Sequence, residues 1–169
     1  MFTKYTPEEV RLLKEVATKK SKPIREPDSH LEVDKINVKN LAKWGFVRRY
    51  NVNEILFREN DPGEEMFLIL QGQCSVSIQG NEIATLGVGD FFGEMALLDG
   101  LPRSATVQAI ENMAVLVIDA KNFEQVIRLE PLIAIRIMQT LSKRIRTLNQ
   151  SLITERMCHN TVETDLNKL

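Results

Sequence analysis

The stretch FFGEMALLDGLPRSATV, residues 91–107, decides how this chain is interpreted, because it combines a glycine, a carboxylate, a short apolar segment and an arginine. Gly93 has no side chain, so a ligand can come close to the backbone there. Residues 94–98 are predicted to form a short helix, whose first amides lack intrahelical partners and point outward as an anion site. Arg103 adds a guanidinium fork that can bind two oxygens of a phosphate at once.

The carboxylate of Glu94 narrows the expected ligand. A carboxylate beside a bound phosphate repels it unless a donor lies between the two groups, and a ribose hydroxyl is such a donor. A pocket that holds a phosphate and an adjacent sugar hydroxyl fits a nucleotide. Because Arg103 is a single arginine, the pocket suits a cyclic monophosphate better than a triphosphate.

The spacing of these residues resembles the phosphate-binding cassette of the cyclic-nucleotide-binding domain, which catabolite activator proteins, cyclic-nucleotide-dependent kinases and cyclic-nucleotide-gated channels share. Further upstream, Gly63, Gly72 and Gly89 resemble the turn glycines of the family, so the resemblance covers residues 46–149. The matching positions of the cassette are Phe92, Gly93, Glu94, Ala96, Leu97, Pro102, Arg103, Ser104, Ala105, Thr106 and Val107.

The resemblance implies a role for each residue. Glu94 is expected to bind the ribose 2′-hydroxyl, and Arg103 the cyclic phosphate. Family members that prefer cyclic GMP often carry threonine after the arginine, whereas those that prefer cyclic AMP carry alanine or serine. Ser104 therefore favours cyclic AMP, with cyclic GMP as the second candidate. The backbone amides expected to complete the site lie near Gly93, Ala96, Ser104 and Ala105.

A further ligand contact is expected from the helix after the strands. Aligning residues 143–145 with the basic turn of catabolite activators places Asn149 near the adenine. Its amide can both donate and accept, which suits the amino group and ring nitrogen of that base. The alternative is an asparagine that is only solvated.

Short strands separated by turns dominate residues 46–119 and predict a mainly β fold. Closing or stacking the sheets avoids exposed edges, so the expected architecture is an antiparallel, jelly-roll-like β-roll of about eight strands. The predicted strands include residues 55–57, 66–70, 74–78, 82–86, 105–110 and 114–118.

Helices are predicted on both sides of the roll. Thr6 and Glu9 form a capping box for an N-terminal helix, residues 19–30 are a linker, and Val38 begins a second short helix. Asp119 is predicted to cap one C-terminal helix and Pro131 to open a longer one. We therefore divide the chain into an N-terminal extension at 1–45, a cyclic-nucleotide-binding domain at 46–149, and the end of the last helix with a tail at 150–169.

The last helix carries apolar residues in steps of four and three, as in a heptad pattern. This seam predicts a homodimer through residues 131–153. The alternative is that the seam packs on its own roll, although Ile133 and Ile137 lie off the seam and can make that contact. The seam residues are Ala134, Met138, Leu141, Ile145, Leu148 and Leu152.

Composition argues against several other classes of function. The 169-residue chain has a net charge of −1, which gives no basic field for nucleic acid or for an anionic membrane. Its longest apolar run, residues 113–118, is too short to span a bilayer, and no secretory signal opens the chain, so a cytoplasmic location is expected. Cys74 and Cys158 are interpreted as ordinary thiols.

An enzyme is also not expected. The two histidines, His30 and His159, lie outside the predicted roll, so neither a cupin-like metal site nor a nucleophile with a histidine base can be assembled. No catalytic residue, metal or cofactor is therefore predicted.

Residues 150–169 show no second apolar helical pair, so a helix-turn-helix and direct DNA binding are not expected. The leading hypothesis is a stand-alone regulatory sensor that binds a cyclic nucleotide and signals through its C-terminal helices to an effector in a separate chain. The alternative is a pseudo-receptor, an interaction module whose nucleotide pocket is vestigial.

Overall fold

The computed structural model describes the backbone of residues 4–18 and 41–166, and the side chains at positions 4–16 and 41–150. The predicted linker at 19–30 and the predicted start of a helix at Val38 lie outside the described residues, as do the side chains of Leu152 and Cys158.

The described elements follow the predicted order, with one helix before the strands, a short helix among them and two helices after them. The helices are α1 (Pro7–Thr18), α2 (Glu94–Asp99), α3 (Ala120–Leu129) and α4 (Pro131–Leu166). The strands are β1 (Phe46–Tyr50), β2 (Ile55–Phe57), β3 (Glu65–Gln71), β4 (Cys74–Ile78), β5 (Asn81–Leu86), β6 (Phe91–Phe92), β7 (Thr106–Ala109) and β8 (Met113–Asp119).

The eight strands of the described residues form two four-stranded sheets, with the orders β1-β8-β3-β6 and β2-β7-β4-β5. Every pair of neighbouring strands is antiparallel. This arrangement confirms the predicted antiparallel β-roll with flanking helices.

The core of the roll lies between the two sheets. The apolar runs of β3 and β8 are buried over residues 66–70 and 113–118, as their sequence predicts for central strands. Phe67 stacks on Phe92 with ring centroids 4.9 Å apart, and Phe57 lies 5.8 Å from Phe67. Cys74 is also buried, and this burial raises the pKa of its thiol to about 12.

The predicted caps are present at both ends of the roll. Glu9 donates its backbone N–H to the Thr6 hydroxyl at 3.3 Å, and Thr6 donates to the Glu9 carboxylate at 2.8 Å, which confirms the capping box. Asp119 accepts from the N–H of Asn122 at 2.8 Å, which confirms the start of α3. Pro131 begins α4, as predicted.

The chain separates into two compact units, Met1–Ile133 and Ala134–Leu169. In the first unit Ile133 is fully buried, and in the second Ile137 is 4% exposed. Three residues of the heptad seam, Met138, Ile145 and Leu148, are 59%, 57% and 59% exposed, whereas Ala134 and Leu141 are half-buried. In the part of the chain that the structure describes, no helix combines the length and hydropathy needed to cross a membrane.

Candidate ligand site

The cassette begins with a two-residue strand at the edge of one sheet. Phe91 and Phe92 form β6 and pair with Leu68 and Phe67 of β3. Gly93 then adopts a left-handed backbone with φ 76°, which few other residues tolerate, and α2 begins at Glu94. The sequence therefore folds into the short helix that was predicted at this position.

Glu94 and Arg103 are the only charged side chains that are buried among the described residues, with 1% and 5% of their surface exposed. Both were selected from the sequence as ligand-binding residues. Burying a charged group costs free energy because the group loses its hydration. The burial of two such groups in one connection between strands makes this segment the candidate ligand site.

The guanidinium of Arg103 is held by backbone oxygens and aromatic rings. Its Nη1 donates to the carbonyl oxygens of Glu65 at 2.7 Å and Gly93 at 2.9 Å. Its Cζ lies 4.3 Å from the ring centroid of Phe57 and 5.6 Å from that of Phe67, within cation–π range. Burial lowers the pKa of Arg103, and the neighbouring carboxylates oppose that shift.

The turn before β3 fixes the backbone of Arg103. Its N–H donates to the carbonyl of Asp61 at 2.8 Å, and its own carbonyl accepts from the N–H of Asn60 at 2.9 Å. The turn is closed by the Asp61 carboxylate, which accepts from the N–H of Arg58 at 2.8 Å. Two segments that are distant in the sequence are thereby joined on both sides of the arginine.

The carboxylate of Glu65 is paired with Arg48. The two side chains make a bidentate contact at 2.8 and 2.9 Å, and this hydrogen bonding is the main reason that the pKa of Arg48 is raised. Glu65 therefore contacts two arginines in different ways. Its side chain binds Arg48, and its backbone oxygen binds Arg103.

The other predicted site residues are divided between two places. Ala96 and Ala105 are buried near the two charges, and Ser104 is exposed, with its hydroxyl 3.5 Å from the Met95 sulfur. Asn149 is exposed on α4, in the second compact unit, and its contact with a base stays a prediction.

Sequence reasoning did not identify the partners of Arg103. Gly63 was noted as a turn glycine and Phe57 as part of a short apolar strand, but neither was linked to the arginine. The Asp-Pro-Gly turn at residues 61–63 is the one signal that pointed to this region. Among the described residues, no group of three or more His, Cys, Asp or Glu side chains is arranged to hold a metal ion.

Comparison with known proteins gives the family of this site. The family model described as the cyclic nucleotide-binding domain matches residues 47–130. A putative potassium channel protein of Rhodopseudomonas palustris is 36% identical over 107 residues, which are 60% of this chain and 26% of that protein. A cAMP-dependent protein kinase regulatory subunit of Debaryomyces hansenii is 37% identical over 79 residues, which are 46% of this chain and 18% of the relative.

A solved structure agrees with these relatives. The cyclic nucleotide-binding domain from Methylobacillus flagellatus superposes with a TM-score of 0.64 at 27% identity, covering 82% of this chain and 79% of that one. The aligned segments span only 26% and 18% of the two sequence relatives, so the likeness concerns one domain of each. The fold, the cassette and these matches together show that residues 47–130 belong to the cyclic nucleotide-binding domain family.

Proposed function

We propose that this chain binds a cyclic nucleoside monophosphate, with cyclic AMP preferred over cyclic GMP. The observation that carries the proposal is the burial of Glu94 and Arg103, the two buried charges of the described residues, within one cassette. Packing alone would favour apolar side chains at such positions. A ligand with both a phosphate and a hydroxyl gives each charge a binding role.

Each group of the ligand has a proposed counterpart. Arg103 binds the cyclic phosphate, since a guanidinium presents paired donors to two oxygens. Glu94 accepts the hydrogen bond of the ribose 2′-hydroxyl. The preference for cyclic AMP is supported by Ser104 after the arginine and by the similarity to a cAMP-dependent kinase regulatory subunit. The contact between Asn149 and the adenine is part of the same proposal.

Binding is proposed to act on the helices that follow the roll. Ala120, the first residue of α3, donates its N–H to the carbonyl of Glu64 at 2.8 Å. The next residue, Glu65, accepts from Arg103 and pairs with Asp119, which caps α3. A ligand that moves the Arg103 guanidinium therefore acts on the start of α3 through neighbouring residues. The output would be a shift in population driven by differential affinity.

The chain is further proposed to form a homodimer through α4. Three large apolar side chains of the heptad seam, Met138, Ile145 and Leu148, are exposed in the single chain. Pairing two copies of the helix would remove this surface from water. An effector in a separate chain, a cytoplasmic location and the absence of catalysis stay predictions.

Isothermal titration with cyclic AMP and cyclic GMP tests the binding proposal. We expect one ligand per chain and a lower Kd for cyclic AMP, while linear 5′-AMP, which lacks the phosphate ring, binds more weakly. If neither cyclic nucleotide gives a saturable heat of binding, the proposal is refuted and the interaction module is favoured.

Light scattering tests the proposed homodimer. We expect the mass of a dimer for the wild type and of a monomer for Ile145→Glu, with exposed Gln139→Glu as the control.

A further inference from the structure

The nitrogens of the Arg103 guanidinium differ in their hydrogen bonding, because Nη1 has acceptors for its hydrogens and Nε has none among the described residues. Nη1 donates to two carbonyl oxygens, so both of its hydrogens are used. Nε is buried and finds no hydrogen-bond acceptor among the described residues. A guanidinium binds two oxygens in parallel through an edge formed by two of its nitrogens. The edge that contains Nε therefore carries an unused donor, and because Nε is buried, a ligand oxygen reaches it only when the guanidinium or its surroundings shift.

Phe57 supports one part of this guanidinium. Its ring centroid lies 4.3 Å from Cζ of Arg103, closer than that of Phe67 at 5.6 Å. The ring is itself fixed, because Phe57 pairs with Val107 across the sheet and packs 6.0 Å from Phe92. Attraction between a cation and an aromatic face increases as the two groups lose contact with water, and here Arg103 is buried and Phe57 is partly buried.

Gly63 leaves the space that the guanidinium occupies. A Cβ built on Gly63 would lie 2.4 Å from Nε, 2.6 Å from Cζ and 2.7 Å from Cδ of Arg103. Such distances are far below van der Waals contact, so even an alanine must displace the arginine. A Cβ built on Gly93 would also lie 2.8 Å from Nη1, but the φ of 76° at Gly93 strains any substitution for a separate reason. Gly63 is therefore the cleaner position to test.

We infer that Phe57 and Gly63 are positioning residues for the ligand phosphate. Together with the carbonyl oxygens of Glu65 and Gly93, they form a guanidinium pocket that holds Arg103 with its Nε donor unused. The turn at residues 58–63 fixes the backbone of the same arginine, so it forms the second half of the phosphate site. The ligand-binding part of this inference rests on the proposed function, whereas the contacts within the pocket do not.

The first experiment compares Gly63→Ala with Gly87→Ala. Gly87 is a matched control because its φ is not left-handed and an added Cβ would meet only the Gln73 side chain, at 3.9 Å. We expect Gly63→Ala to weaken cyclic AMP binding by about tenfold or more, since a displaced guanidinium loses its charged hydrogen bonds to phosphate. Gly87→Ala should stay within about twofold of the wild type. Equal affinities of the two variants would overturn the inference.

The second experiment is a double-mutant cycle measured by thermal unfolding without nucleotide. Gly63→Ala should lower the Tm in the wild-type background and lower it much less in an Arg103→Ala background, where the added methyl has no guanidinium to displace. Additive changes in Tm would refute the pocket. This readout stays decisive if the wild type binds no cyclic nucleotide, so failure of the proposed function and failure of the pocket are distinguishable.

Phe57 is tested by two substitutions that differ in the aromatic face. Phe57→Leu should weaken cyclic AMP binding, whereas Phe57→Tyr, which keeps an aromatic face beside the guanidinium, should retain most of the affinity. Should Gly63→Ala fail to fold, this pair still tests the pocket through binding. The same loss of affinity in both Phe57 variants would show that the ring acts only through packing, against the inference.

Discussion

Two pairs of a glutamate and an arginine, one in the cassette and one on α3, lie in opposite surroundings. In the cassette, Glu94 and Arg103 are 1% and 5% exposed. On α3, the side chains of Glu124 and Arg128 are 70% and 68% exposed and form an ion pair at 2.6 Å. The exposed ion pair on α3 is thus the one with the smaller expected effect, because water screens it. Burial, and not the presence of opposite charges, distinguishes the cassette from the pair on α3.

The largest expected effect is the difference in cyclic AMP affinity between variants of Arg103 and Arg128. Arg103→Ala removes the cation proposed to bind the phosphate, and we expect the affinity for cyclic AMP to fall about 100-fold or more, as for the loss of two charged hydrogen bonds. Arg128→Ala removes an arginine that remains in water, so its Kd should stay within about twofold of the wild type. Isothermal titration measures both. Equal losses would remove the distinction between the regions.

Substituting Glu94 should weaken cyclic AMP binding and substituting Glu124 should not, but the difference should be smaller than that between the two arginines. Glu94→Gln keeps the shape of the side chain and removes its charge, so we expect about a tenfold loss of affinity from the weaker bond to the ribose hydroxyl. Glu124→Gln on α3 is the control and should bind as the wild type does. With 2′-deoxy cyclic AMP, the wild type and Glu94→Gln should bind nearly alike. A tenfold gap that persists with the deoxy ligand would contradict the assigned role.

The smallest expected effect is on stability, at the exposed pair. Arg128→Ala and Glu124→Gln should each lower the free energy of unfolding by no more than about 0.5 kcal/mol, since an exposed i,i+4 pair on a helix contributes little. Urea denaturation followed by circular dichroism measures this change. A loss several times larger would mean that the ion pair on α3 has a structural role that its exposure conceals.

Much of the fold was predictable because local patterns specify it. Apolar patterns predicted strands at 66–70 and 114–118, which lie in β3 and β8, and Asp119 predicted the start of α3. The order of strands in each sheet was not predictable, since pairing joins residues far apart in the sequence. The strand β6 has only two residues, too few for any periodicity, and it exists because β3 lies beside it.

In β4, Cys74, Val76 and Ile78 alternate with polar residues, a pattern typical of a half-buried strand, and the observed burial follows this pattern only in part. Cys74 is fully buried, as the inward face requires, but Ile78 on the same face is 36% exposed. Burial therefore declines along the strand toward its turn at residues 79–80. Alternation specifies which face of a strand is apolar, whereas the extent of the opposing sheet decides how far that face is covered.

The candidate site also has a part that the sequence predicts and a part that it does not. Glu94 and Arg103 were identified from residue type and spacing within one short segment. The contacts that hold Arg103 come from Phe57, Gly63 and Glu65, which precede it in other elements. No local pattern connects those positions to the arginine. Only the folded backbone brings the turn at residues 58–63 against the cassette.

The close contact between Gly63 and Arg103 also has an evolutionary consequence. The guanidinium of Arg103 occupies the space that a side chain at position 63 would need. In a lineage that loses the arginine, this space becomes free, so Gly63 can be replaced by a residue with a side chain. Gly93 stays constrained in the same lineage, because its positive φ is required whether or not the arginine remains. In related domains without the arginine, we thus expect variation at the position of Gly63 and a glycine at the position of Gly93. Loss of binding would then be visible in the sequence at a position outside the cassette.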